Sequence, residues 1–418
     1  MKKSLLSLAF LVFGCLVGAA QSLRIYEDNV VYTAGADDAL SCVYTDGSTL
    51  TVAGRSFEIS LIDSLTVVSA TVANDSVYIT YSGNGAVVEI PSYLWDVVEP
   101  EIDGADVTLT STATEDYDEV IYLLSGSSPQ GSFTQVGDYK CSLVLNDLTL
   151  TSVSGAAINI DNGKRIEINI PDGTTTTLAD YADGSQKACL RIKGHAELKG
   201  GGTLNITGNC DHAYKSGEYT EVKKSFGTLN IVKAANDGMH VGQYFLMNGG
   251  TINIGDSTSS DVVAGDGLQV EANLEGEELD GQMFLNGGVI NIYNTTYRGS
   301  GIKADSTLWV TGGEYNITTT GLAGRCVEVY DADISDTNSM PVFTLYAEGG
   351  TTVVDGDTKK SACFKTDGDL YIHAGIIYAY PTGEDANGVK VGGDYYRTSE
   401  AQLNVTPKVD GTIYTVSE

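Results

Sequence analysis

The chain has 418 residues and carries 55 acidic against 24 basic side chains, a formal net charge of −31. Such a surface repels nucleic acid and anionic lipid at long range, and it suits an extracellular chain or one that holds divalent cations. Gly is abundant (49) and Pro scarce (7), and few runs place apolar residues at i, i+3 and i+4. Short alternating stretches bounded by Gly and Asp read instead as all-β.

The first twenty residues form a secretory signal. Lys2 and Lys3 precede an apolar run over 5–17, and Gly18-Ala19-Ala20 supplies small residues before Gln21. The mature protein is expected to be secreted: periplasmic, cell-surface or extracellular. Cys15 opens a lipoprotein alternative, against which stand the bulky Phe13 and an apolar run that continues past the cysteine. No other stretch approaches the roughly 18 apolar residues of a spanning helix.

Residues 21–104 contain strands without a period, as in Phe57-Glu58-Ile59-Ser60-Leu61-Ile62, and are expected to form a small N-terminal β module or cap. A repeat then builds up over 105–410, leaving a tail at 411–418. One half of it is a small pair followed by apolar-x-apolar: Ala188-Cys189-Leu190-Arg191-Ile192, Asp237-Gly238-Met239-His240-Val241 and Asp266-Gly267-Leu268-Gln269-Val270. The other half is a Gly turn and a strand: Gly201-Gly202-Thr203-Leu204-Asn205-Ile206, Gly249-Gly250-Thr251-Ile252-Asn253-Ile254 and Gly287-Gly288-Val289-Ile290-Asn291-Ile292. The steps Gly202–Gly227, Gly227–Gly250 and Gly288–Gly313 are 25, 23 and 25 residues, and Gly250–Gly288 is 38, which marks an inserted loop. A period of 20–50 residues marks a repeat array, and one with no room for a helix predicts a right-handed parallel β-helix. Asn205, Asn230, Asn253, Asn291 and Asn316 are placed to form a polar ladder.

Equivalent positions stack in such a fold, so columns can be read from the sequence. The middle residues of apolar-x-apolar point outward. They run Asn159, Arg191, Lys215, His240, Gln269, Lys303, Glu328, Lys365 and Lys390. A basic strip in an acidic protein suggests a site for the carboxylates of an acidic polysaccharide, unless neighbouring Asp and Glu neutralise it. Beside it, Asp211, Asn236, Asp237 and Asp266 occupy a corner column. Carboxylates one strand spacing apart can share a Ca²⁺, although Asp-Gly is also ordinary turn chemistry.

Catalytic signals are thin. No GxSxG, HExxH, P-loop or dinucleotide fingerprint is present, and no catalytic residue is assigned. His212 and His240, beside Asp211 and Asp237, make a conceivable acid/base cluster. Tyr244, Trp309, Tyr395 and Tyr396 fall in outer segments, where an aromatic ring can stack on a sugar. The six cysteines after Cys15 lack CxxC spacing, so the default is small buried thiols, with a bridge such as Cys189–Cys210 as the alternative.

The order Lys140-Cys-Ser-Leu-Val-Leu-Asn-Asp-Leu-Thr-Leu150, Ser154-Gly-Ala-Ala-Ile-Asn-Ile160, Gly200-Gly-Gly-Thr-Leu-Asn-Ile206 and the Asp-Gly corners resembles a family of secreted bacterial carbohydrate-binding proteins with a pectate-lyase-like β-helix. Ile62-Asp63-Ser64-Leu65 is similar to a short module of secreted Bacteroidetes proteins. The resemblance implies calcium sites and binding of cellulose-like or acidic plant polysaccharides without a lyase reaction. The corners Arg325-Cys326 and Ala362-Cys363 depart from Asp-Gly and weaken the calcium expectation there. The expected function is non-catalytic polysaccharide binding. The alternatives are a lyase or hydrolase acting on acidic polysaccharide, and a structural or adhesive surface protein.

Overall fold

The computed structural model describes residues 21–407 apart from 40, 70–72, 261 and 275, together with 413–415. The expected signal segment and most of the expected tail lie outside these residues. The described residues are all-β, with one four-residue helical turn at Ala36–Ala39 and a short 3-10 turn at Ser92–Leu94. Among the described residues no helix is long and apolar enough to cross a membrane.

The first part is mostly antiparallel. Ser22–Glu27 folds back on Val30–Gly35 through Asp28, and Ser76–Ser82 folds back on Gly85–Pro91. Tyr32, Phe57 and Trp95 pack edge to face in its core, and the Arg55 guanidinium lies over the Tyr32 ring.

From Asp106–Ser111 onward parallel pairing takes over, in three columns. The first column runs through Ser132–Gly137, Ile158–Asp161, Ala188–Ile192, His212–Ser216, Met239–Val241 and Leu268–Val270, and continues to Asn387–Val391. The second contains His195–Lys199, Thr220–Val222, Phe245–Met247 and Met283–Leu285. The third contains Thr203–Gly208, Thr228–Ala234, Thr251–Ile254, Val289–Asn294 and Glu314–Thr319. Ile413–Thr415, placed in the tail from sequence, adds a further parallel strand to the first column.

Strand alternation explains the core. Leu190, Tyr214, Met239, Leu268, Ile302, Val327, Phe364 and Val389 occupy one inward row of the first column, and all are fully buried. Each contributes roughly 1.5–3 kcal/mol of apolar burial. The strands of the third column start from sharp turns, and Gly250 and Gly288 there take φ of 80° and 91°, a region costly for any residue with a Cβ. The six described cysteines are free thiols, and burial pushes those of Cys189 and Cys326 well above their usual range.

The asparagine ladder forms. Asn230 Nδ2 donates to Asn205 Oδ1 (2.9 Å), Asn253 to Asn230 (2.7 Å), Asn291 to Asn253 (2.8 Å) and Asn316 to Asn291 (3.0 Å). Asn253→Ala removes two of these bonds from the middle of the run. The expected cost is about 1–3 kcal/mol, at about 0.5–1.5 kcal/mol per bond. Urea denaturation measures it, and an unchanged midpoint would show that the ladder holds nothing together.

Candidate functional site

The outward row of the first column is continuous. Asn159 pairs with Arg191, Arg191 with Lys215, Lys215 with His240, His240 with Gln269, Gln269 with Lys303, Lys303 with Glu328, Glu328 with Lys365, and Lys365 with Lys390. Its charge, however, is largely answered from within. Lys303 Nζ lies 3.1 Å from Asp266 Oδ2. Lys365 Nζ lies 2.8 Å from Glu328 Oε1 and 3.0 Å from Asp367 Oδ1, and Arg191 donates to Asn159 at 2.8 Å. His240 is buried between two carboxylates. Of the row's cations, the Lys215 and Lys390 side chains make no ion pair or hydrogen bond among the described residues, and burial lowers the pKa of both. Acids beside a stacked basic row relieve its self-repulsion, which is why most of the strip is not free to meet a polyanion.

Around Lys215 the wall opens into a cleft of about 510 Å³. The corner residues Asp211, Asn236, Asp237 and Asp266 line it together with His212, His240, Lys215 and Gln269. Of the lining residues not singled out from the sequence, Lys187, Glu271, Tyr297 and Arg298 bring charge or an aromatic ring. They come from segments flanking the repeat, where no period marks them. Lys187 and Arg298, like Lys215, have no side-chain partner among the described residues.

The corner carboxylates do a structural task. Asp237 Oδ1 accepts the Asp266 N–H (2.8 Å), and Asp266 Oδ1 accepts the Ser300 N–H (2.7 Å). Asp331, Asp369 and Asp394 repeat the pattern on another corner, at 2.6 and 2.7 Å. Where the chain turns out of a ladder its N–H needs an acceptor, and an Asp one strand earlier supplies it. Asp237 Oδ2 then faces His240 Nδ1 (3.1 Å) and His212 Nδ1 (3.2 Å). Burial alone would raise the Asp237 pKa, but the two imidazoles and the Asp266 N–H hold it well below the usual carboxylate range. Asp266 moves the other way: burial raises its pKa, and Lys303 only partly offsets this. A calcium ion takes six to eight oxygen ligands. The oxygens of Asp237 and Asp266 meet N–H groups, imidazole and ammonium instead, so these two carboxylates do not present calcium with free oxygens.

The second column carries a different surface. Its outward row reads Glu167, Glu197, Glu221, then Leu246, Phe284 and Trp309, then Asp333, Tyr371 and Tyr396. Beside it Tyr244 stacks on Tyr219, with centroids 4.8 Å apart and planes at 18°, and meets Phe284 edge-on at 6.3 Å. Trp309 is 40 % exposed, and its Nε1 donates to Gln282 Oε1 at 2.9 Å. Burial raises the Tyr244 pKa to about 12, so its hydroxyl stays protonated. Tyr244 and Trp309, named from sequence, therefore belong to one patch. Tyr396 lies on the same row, two strands past Asp333, while Tyr395 is partly buried beside it. Leu246, Phe284 and Tyr219 went unnoticed, although the triplets Phe245-Leu246-Met247 and Met283-Phe284-Leu285, with apolar middle residues, carried the signal.

Residues 103–388, which contain the cleft and the patch from Tyr219 to Trp309, match the family described as carbohydrate-binding domain-containing proteins. The chain belongs to that family. This carbohydrate-binding domain protein is also similar in fold to a solved structure, the polysaccharide lyase-like protein from C. thermocellum in its gadolinium derivative. The TM-score is 0.51 at 17 % identity, over 63 % of this chain and 98 % of that one. A search of curated proteins returned no match. Both the cleft and the aromatic patch of the carbohydrate-binding domain lie within the matched residues.

Proposed function

We propose that the protein is a secreted, non-catalytic polysaccharide-binding protein, wound as a right-handed parallel β-helix, that lays a cellulose-like glucan chain along the aromatic patch of its second column. One observation carries this reading. Leu246, Phe284 and Trp309 face outward on three consecutive strands, in a row whose earlier members Glu167, Glu197 and Glu221 are charged. With Tyr219 and Tyr244 the patch follows the stacking direction over about 14 Å, three strand spacings of about 4.8 Å. Flat rings in line suit the apolar faces of successive sugars. Retention on insoluble cellulose tests the proposal. Binding should survive high salt, because stacking carries no net charge. No retention above a non-binding control protein would remove it.

A second reading is favoured by the three unpartnered cations Lys187, Lys215 and Arg298, which share one cleft of a protein with net charge −31. They suit the carboxylates of a polyuronate. Binding there should weaken steeply with salt, the opposite of the first reading. Lys215, with its pKa lowered by burial, is also placed to take a proton from a bound uronate. Release of unsaturated product from polygalacturonate would turn this second reading into a lyase.

A further inference from the structure

We infer that His212, Asp237 and His240 form a binding site for a divalent transition ion of the zinc class. The inference stands apart from the glycan readings, since it rests on how two imidazoles meet one carboxylate. His212 Nδ1 and His240 Nδ1 lie 3.2 and 3.1 Å from the same oxygen, Asp237 Oδ2. The ligand atoms of all three side chains fall within 4.8 Å of one another. All three residues are more than nine-tenths buried, at 4 %, 4 % and 6 % exposure. Zinc is held at 2.0–2.1 Å by His nitrogen and 2.0–2.2 Å by carboxylate oxygen, so ligands about 100–110° apart stand about 3.2–3.4 Å from each other. The two observed spacings fall at the short end of what a shared ion requires.

A second observation points to a ligand. His212 Nδ1 is buried with no hydrogen-bond partner, because Asp237 Oδ2, though 3.2 Å away, lies off the direction a hydrogen bond needs. A buried polar nitrogen without a partner is costly, and a cation beside it would satisfy its lone pair. The outer partner of His240 agrees with this: its Nε2 lies 3.1 Å from Glu271 Oε2. A carboxylate on the far nitrogen holds the proton there and frees Nδ1 as a ligand, the usual support for metal-bound histidine. Asp237 is itself fixed by the Asp266 N–H.

The donor set selects the ion. Two imidazoles and one carboxylate suit zinc and its neighbours, whereas calcium takes oxygen alone. Lys215, the strand neighbour of His240, is the opposing charge, and Asp211 and Glu271 offset it. Three protein ligands leave a coordination position open toward the cleft, where water or an anionic group can enter.

The test uses the secreted chain stripped with EDTA and titrated with Zn²⁺, Co²⁺ or Ca²⁺ alone. Zn²⁺ at micromolar concentration should raise the melting temperature, while millimolar Ca²⁺ should leave it unchanged. Co²⁺ should give visible absorption bands of a nitrogen-ligated, low-coordinate ion, and His212→Ala should abolish them. Glu271→Gln, which alters no ligand, should weaken Zn²⁺ binding about 10–100-fold. An ion held only by the acidic surface would bind His212→Ala as tightly as wild type, and that result overturns the site. Should His212→Ala not fold, X-ray absorption of the zinc-loaded wild type decides: two imidazole ligands support the site, and an all-oxygen shell refutes it.

Discussion

Asp237→Ala should lose about 3–5 kcal/mol of stability, the cost of breaking a buried charged cluster from one side. The carboxylate is 4 % exposed and accepts the Asp266 N–H while facing two buried imidazoles. Alanine leaves the Asp266 N–H without its acceptor, and an orphaned donor alone costs about 1–3 kcal/mol. Asp237→Asn keeps an oxygen for that N–H and loses only the charge, so it should fall between alanine and wild type. The pH dependence has a definite sign. The folded pKa is held below the unfolded value, so the contribution is fully present above about pH 4, near the unfolded pKa of roughly 3.9. It is lost only as pH falls through the depressed folded value. The gap between wild type and Asp237→Asn should therefore persist when the carboxylates of an ordinary surface begin to protonate. Urea midpoints of the three proteins at neutral pH and near pH 4 measure this. Equal midpoints for wild type and alanine would show that the corner does not depend on Asp237.

Much of this architecture was legible because a repeat shows its geometry in its spacing. The 23–25-residue steps between Gly turns set which strands pair, and the pairing of Thr251–Ile254 with Thr228–Ala234 and Val289–Asn294 is parallel, residue for residue. The outward row from Asn159 to Lys390 came out in register for the same reason. What spacing does not carry is where side chains go once they leave the wall. Lys303 turns to Asp266 in the neighbouring column, a contact 37 residues apart in sequence that a reading of the outward row alone does not contain, while Lys365 closes on Glu328, its neighbour in the row. The corner aspartates show the same limit. Their recurrence was plain, but a carboxylate that repeats once per strand serves equally to hold a cation or to accept the next strand's N–H. Only the oxygen-to-nitrogen distances separate the two. The cleft was least legible, since Lys187, Tyr297 and Arg298 lie on connections between strands, where length varies and period is lost.

Trp309→Ala should raise the dissociation constant for a cellulose-like glucan about thirtyfold, equivalent to about 2 kcal/mol, the range of an interface hot spot. Trp309 presents the largest exposed ring of the patch, and its Nε1 bond to Gln282 fixes the ring's direction before any sugar arrives. A ring already oriented loses little freedom on binding, so more of the contact energy appears as affinity. Phe284 and Leu246 are half-buried and extend the same row, so Phe284→Ala should cost less than Trp309→Ala. The pair should be less than additive, because the two residues are direct neighbours in the ladder. Folding should be nearly untouched by Trp309→Ala, since the ring faces solvent and the inward Leu308 and Val310 remain. Affinity is read from depletion onto insoluble cellulose, with stability followed in parallel by urea denaturation. Unchanged retention with an intact fold would move glycan binding away from the aromatic row and toward the cations of the cleft. In that event Lys215→Ala, with no internal ion pair to lose, should become the variant that releases a polyuronate, and it should do so most clearly at low salt.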